Sequence, residues 1–245
     1  MPPIDVKIIR GGEPIPLFID GQTSASEWKR QLADYANTPF VELVTDNAII
    51  TATRSTYQKE IKYNPSVLLK MIGNLLSWYD ELSGLNGKGP KDSPSLLRLH
   101  YQEDAVSSPE ALEDIYMYAA DYFVGVPSEN MGDLINPNKL SHAWSIWHET
   151  GHKYQQIDWS WEQVVETTVN IYSLTAQAHL GYRSRLKERD SYTHQSPLDQ
   201  ALRYLNRKSR NFTDSKQMRM APQDDGELWV RLVIDVRPAN SSRFW

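Results

Sequence analysis

Cysteine is absent from the 245 residues, which removes thiolate catalysis, cysteine-ligated zinc and any disulfide framework from consideration. The compartment stays open, because cytosolic and bacterial secreted proteins can both lack cysteine. Long apolar runs are missing as well, so no membrane span is expected. The start, Met1-Pro2-Pro3-Ile4-Asp5, has no charged stretch leading into an apolar one, and any export signal is expected to lie outside this chain. Positive charge is in short supply: 26 Lys and Arg stand against 31 Asp and Glu, for a net charge of -5. With a pI near 5.7 and no sustained basic cluster, the chain is not expected to bind nucleic acid. Internal repeats and low-complexity tracts are absent too, leaving a globular chain large enough for one sizeable core and a cleft.

Aromatic residues, by contrast, are plentiful, with eight Trp and 13 Tyr. Several crowd one region: Trp144, Trp147, Tyr154, Trp159 and Trp161. Rings at helical spacing mostly fill interiors, so core packing is expected; a cleft wall that stacks on sugar or peptide is the alternative.

The same region contains His148-Glu149-Thr150-Gly151-His152. Residues i and i+4 of an α-helix share a face with Cβ atoms about 6 Å apart, so both imidazoles can reach one metal ion. Glu149 sits about 100° round the helix from His148, where it suits a base that deprotonates water beside the metal. A chance H-E-x-x-H arises in about one chain in a hundred of this composition. The bland reading is an amphipathic helix with ordinary core or surface histidines. Context favours the site: Asn136 to Ser141 reads as a turn opening a helix, and Ala143, Trp144, Ile146 and Trp147 give it apolar surface.

A hydrolytic zinc site uses three protein ligands and leaves a fourth position for water. The third ligand must be sought downstream, where Ser160-Trp161-Glu162-Gln163 has the form of a capping box. A helix from there to about Gly181 puts Glu162, Glu166 and Asn170 on one face, beside an apolar stripe of Val165, Val169 and Tyr172. Glu166 is favoured because it lies a full turn inside the helix, with Asn170 able to orient a ligand histidine. Glu162 is an alternative. Asp158 has the spacing of a metzincin's last ligand, but Gln155 stands where that geometry uses a glycine to turn the chain. For each acid the bland reading is a solvated helix face or a cap.

Elsewhere, short β-rich runs are expected at Val6 to Ile9, Leu17 to Ile19, Phe40 to Val44 and Ala48 to Thr53. The last two flank Asp46-Asn47 as a hairpin. Ser24 opens a helix running to about Tyr35. Pro65 to Leu82 is predicted helical, with Val67, Leu68, Met71, Leu75, Leu76 and Trp78 facing a core, ended by the segment Gly84 to Pro90. A strand at Leu96 to Tyr101, a helix at Pro109 to Ala120, a helix at Gln200 to Lys208 and a terminal element at Glu227 to Val236 complete the reading. The fold class is α+β, with a β-rich part over residues 1–90 packed on a mainly helical part over 91–245 and the motif helix bordering a cleft between them.

The segment Trp147 to His152, with Gln155 following, and the block Glu166-Thr167-Thr168-Val169-Asn170-Ile171-Tyr172-Ser173 resemble the enhancin-like zinc peptidases, family M60, which includes viral enhancins and bacterial mucin-degrading proteases. Gly21 to Trp28 and Pro39 to Leu43 are similar to the family's early segment. The resemblance covers about Leu17 to Leu180. It implies a zincin-like fold of gluzincin type, with Zn2+ held by His148, His152 and Glu166 and with Glu149 as general base. It also implies an endopeptidase acting on mucin-like O-glycosylated proteins, in an extracellular or cell-surface setting. The segment after about Val233 departs from the family's pattern, so residues 1–245 read as a single peptidase domain incomplete at its ends. Two alternatives stay open: a non-catalytic glycan- or protein-binding module on a peptidase scaffold, and a zinc peptidase without glycan preference. Tyr154, His142 and His179 are candidates for stabilising an oxyanion by residue type alone.

Overall fold

The computed structural model describes residues 11–60, 64–104, 117–160, 165–189, 194–206 and 208. In chain order the elements are β1 (Leu17–Ile19), α1 (Ala25–Asp34), β2 (Phe40–Val44), β3 (Ala48–Thr53), α2 (Arg54–Glu60), α3 (Pro65–Leu82), β4 (Leu99–Asp104), β5 (Tyr118–Ala119), β6 (Phe123–Pro127), α4 (Met131–Ile135), α5 (Pro137–Leu140), α6 (Trp144–His152), α7 (Val165–Thr168), α8 (Asn170–His179) and α9 (Pro197–Leu205). The fold is α+β, as the sequence pattern implied. Among the described residues no helix is long and apolar enough to cross a membrane.

The chain divides into two compact units, one of Met1–Asn74 with Ser95–Leu140 and the other of Leu75–Pro94 with Ser141–Trp245. The first holds a six-stranded sheet in the order β1-β2-β3-β4-β6-β5. The expected hairpin at Asp46-Asn47 is the antiparallel β2–β3 pair, with Val44 opposite Ile49, whereas β3, β4 and β6 run parallel. Alternation sets one face inward: Val41 and Leu43 from β2, and Ala48, Ile50 and Ala52 from β3, are fully buried. Because β4, β5 and β6 continue the sheet, the β-rich part draws on residues beyond 90, where the sequence pattern ended it.

Local chemistry fixes the helices of this unit. Ser24 caps α1 by accepting from the Glu27 N–H at 3.1 Å. At its other end the Arg54 guanidinium donates to the carbonyls of Leu32 and Tyr35, satisfying acceptors that the helix leaves open and opposing its negative end. Buried Trp28 stands edge-on to Phe18 and Tyr57 and donates its indole N–H to the Tyr57 hydroxyl at 2.7 Å.

The second unit is helical. Its core joins Leu75 and Tyr79 of α3 to Trp147 of α6 and to Tyr172 and Ala176 of α8, with Trp144, Tyr154 and Trp159 packed around them. The aromatic crowd is therefore core packing, with Trp161 outside the described residues. Tyr79 donates its hydroxyl to the Trp147 carbonyl at 2.9 Å, and Tyr172 donates to the Tyr154 carbonyl at 2.8 Å. The α8 helix ends where expected. The Tyr182 N–H reaches the Gln177 carbonyl and the Gly181 N–H reaches that of Ala178, with Gly181 at φ +77°, a Schellman closure that needs glycine's freedom.

Several expectations shift. In α3 the buried face is Leu68, Leu69, Ile72, Leu75, Leu76 and Tyr79, and Val67 points outward at 52% exposure. The strand expected at Leu96 begins at Leu99, leaving Leu96 and Leu97 exposed. Tyr118–Ala119, expected to end a helix, pairs antiparallel with β6, while residues 105–116 lie outside the described set, as do 6–9 and the expected terminal element at 227–236. The final described helix starts at Pro197 and not Gln200.

Candidate metal centre

Helix α6 carries the first half of the site. Ile146, Trp147, Thr150 and Gly151 form its buried side, and that choice of face turns His148 and His152 the other way. Their side chains keep only 13% and 15% of their surface exposed. The backbone from α7 to α8 stays right-handed helical at Val169 (φ -56°, ψ -29°), so Glu166 and Asn170 fall one turn apart on nearly one face. Glu166 remains exposed while Asn170 is buried.

The three expected ligand groups come together. Nε2 of His148 lies 2.9 Å from Oε2 of Glu166, Nε2 of His152 lies 3.3 Å from the same oxygen, and the two Nε2 atoms are 3.2 Å apart. Two ligands of one tetrahedral zinc, each about 2.1 Å from the ion, stand roughly 3.3 Å apart. The donor set therefore fits a single small divalent cation, and among the described residues this is a cluster able to hold one. Asp158 lies exposed in the turn Ile157–Trp159 and does not belong to the cluster. Glu162 lies outside the described residues, as does Gln163 of the expected capping box.

Without a cation both histidines face the Glu166 carboxylate through Nε2. Hydrogen bonds from His148 and His152 hold the Glu166 carboxyl far below the usual carboxylate range, against partial desolvation. Burial opposes charge on His152, but its bonds to Glu166 and Gln155 and the negative charges of Glu166 and Glu149 raise its pKa above the usual imidazole value. Glu149 is thus close enough to act on His152 through space, and its side chain is partly exposed.

The other ring nitrogens are also engaged. Nδ1 of His148 lies 2.9 Å from Oδ1 of Asn170, the arrangement expected from the helix face. Nδ1 of His152 lies 2.9 Å from Oε1 of Gln155, a contact the sequence reading did not assign. The available signal was a glutamine three residues beyond a ligand histidine at a helix end. Of the residues suggested for an oxyanion, Tyr154 aims its hydroxyl at the Leu76 carbonyl, His142 packs on Tyr182 and His179 stacks on Trp78.

Comparison with known proteins extends this picture. TRPM8 channel-associated factor 2 of Homo sapiens is 28% identical over 174 residues, which is 68% of this chain and 17% of that protein. The chain thus spans about a sixth of the length of the curated relatives it matches. A conserved, functionally unknown protein from Bacillus anthracis str. Ames is similar in structure, with a TM-score of 0.76 and 29% identity over 92% of this chain and 42% of that one. The M60 catalytic domain of Clostridium perfringens ZmpC, solved in complex with the sialyl T antigen, shares the fold at a TM-score of 0.60 and 14% identity, covering 72% of this chain and 35% of that one. The family model described as Peptidase M60, enhancin and enhancin-like, matches residues 11–233, and this chain belongs to that family.

Proposed function

We propose that this chain is the catalytic part of a zinc-dependent endopeptidase that hydrolyses peptide bonds in mucin-like O-glycosylated proteins outside the cell or at its surface. The observation that carries the reading is the convergence of His148, His152 and Glu166 on one point, with Glu149 following the first histidine. Zinc held by those three groups would supply Lewis acidity, making water nucleophilic near neutral pH and polarising the scissile carbonyl. His148 and His152 offer neutral nitrogens and Glu166 a carboxylate, a set of net charge -1 that suits a catalytic zinc with one position left for water. Glu149 accepts the attacking water's proton and returns it to the leaving amine. The glycoprotein substrate rests on family membership and on a relative of the same fold that was solved with the sialyl T antigen.

The test compares a glycosylated mucin with the same peptide lacking sugar. Cleavage that a chelator stops and zinc restores supports the peptidase. Glu149→Gln is expected to retain zinc and lose turnover, and equal loss of both would make Glu149 structural. Equal cleavage of bare and glycosylated peptide supports a zinc peptidase without glycan preference.

The names of the curated relatives favour a second reading. TRPM8 channel-associated factors are named for association with a channel, so a protein-binding module on a peptidase scaffold is the competing function. It predicts no cleavage by the zinc-loaded wild type and no effect of Glu149→Gln on partner capture.

A further inference from the structure

Two primary amides flank the candidate metal centre in matching ways. Asn170 donates from Nδ2 to the Glu166 carbonyl at 2.8 Å and turns Oδ1 to the His148 ring. Gln155 donates from Nε2 to the Val165 carbonyl at 2.7 Å and to the Thr168 hydroxyl at 2.6 Å, and turns Oε1 to the His152 ring. An amide end that faces a carbonyl must be its NH2. Each amide oxygen is therefore obliged to face its histidine, and an oxygen can only accept. Both histidines must then carry hydrogen on Nδ1, so the proton that Nε2 shares with Glu166 in the metal-free protein is the one a cation displaces, leaving the Nε2 lone pairs to meet on it.

We propose that Gln155 and Asn170 act as paired positioning residues, each fixing the tautomer of one histidine and tying it to the backbone turn that carries Glu166. The proposal rests on the zinc reading for its purpose, but its geometry stands in the protein without metal. Gln155 has the larger structural reach, because it joins the residues just past α6 to α7 by two hydrogen bonds and to His152 by a third. It also accounts for the residue that replaces the metzincin glycine: the amide braces the chain where a glycine would turn it. The carbonyls of Val165 and Glu166 are consecutive, so the two histidines are registered against adjacent peptides of one turn. A change in either amide shifts one ring relative to a shared reference.

The test uses the full chain labelled with 15N-histidine at pH 8.5, where ring-nitrogen shifts report the tautomer. Wild type is expected to show His148 and His152 with hydrogen on Nδ1. Gln155→Met is expected to disturb His152 and spare His148, and Asn170→Leu to do the reverse. Zinc affinity, measured by chelator competition, should weaken about 10–100-fold in either variant. Gln155→Glu keeps an acceptor for His152, and is expected to recover its tautomer and most of the zinc affinity while losing the bond to Val165. Unchanged tautomers in both apolar variants would overturn the proposal, as would unchanged zinc affinity. Should Gln155→Met fail to fold, the Gln155→Glu and Asn170→Leu spectra decide the matter. A wild type that binds zinc and cleaves nothing counts against the peptidase, and the tautomer pattern still judges the amides.

Discussion

Gly151 and Tyr172 set how closely α6 and α8 approach, since a Cβ placed on Gly151 would stand 2.9 Å from Tyr172 Cβ and 2.9 Å from Val169 Cγ2. Alanine inside a helix normally gains about 1 kcal/mol over glycine. Overpacking against atoms next to a backbone costs about 1–3 kcal/mol, and here the neighbours have little room to move. Gly151→Ala is therefore expected to lower the melting temperature and weaken zinc binding together, because the same contact holds His152 over Glu166. A higher melting temperature would mean that the helices have space to spare.

The His152–Glu166 pair predicts a pH dependence that reverses with metal. In the chelated chain, the raised His152 pKa stabilises fully below the unfolded value of 6.5 and is lost as pH rises through the folded one. The depressed Glu166 pKa stabilises above 4.5 and is lost as pH falls through its folded value. Wild type should exceed Glu166→Gln in stability most between these two values, with the gap closing at alkaline pH. Zinc loading should invert the trend, since ligand protons leave as pH rises. Melting curves of both proteins, with and without zinc, check the signs.

The His148–His152–Glu166 cluster was legible in the sequence because each of its parts obeys a helical period. His148 and His152 are i and i+4, and Glu166 and Asn170 repeat that spacing on the next helix. Gln155 was not legible as a partner of His152, for it lies beyond the end of α6, where the period no longer applies, and its acceptors depend on where the chain returns. In α3, Val67 and Leu69 are both apolar, and only the tertiary partners decided that Leu69 is buried and Val67 exposed. Tyr118 and Ala119 show the opposite limit: expected at the end of a helix, these two residues are strand because they pair with β6.

Burial pushes the Tyr57 hydroxyl up to about 12, the bond from Trp28 working against it. The group thus favours the fold below the unfolded value of 10.0, and that contribution fades as pH climbs towards its folded one. Tyr57→Phe should abolish this part of the alkaline loss. It should also cost about 1–3 kcal/mol at neutral pH, because the buried Trp28 N–H loses its acceptor. Denaturant titrations at pH 7 and pH 11 measure both effects; an unchanged midpoint at pH 7 would show that the indole finds another partner.

Glu103 is 5% exposed, yet its carboxylate accepts from the Thr53 N–H at 2.6 Å, from the Thr53 hydroxyl at 3.0 Å and from the Thr56 hydroxyl at 2.7 Å. It thereby joins β4 to the end of β3 and to the first turn of α2, where a negative group also meets the helix's positive end. Glu103→Ala leaves the Thr53 N–H without this partner and opens a cavity, so a loss of about 2–4 kcal/mol is expected. Glu103→Gln keeps one carbonyl acceptor but turns an NH2 towards groups that need an acceptor, and should fall between alanine and wild type. Because this carboxylate acts on the sheet and α2, zinc affinity per folded molecule should stay constant in both variants. A drop in affinity without a drop in stability would contradict a purely structural role for Glu103.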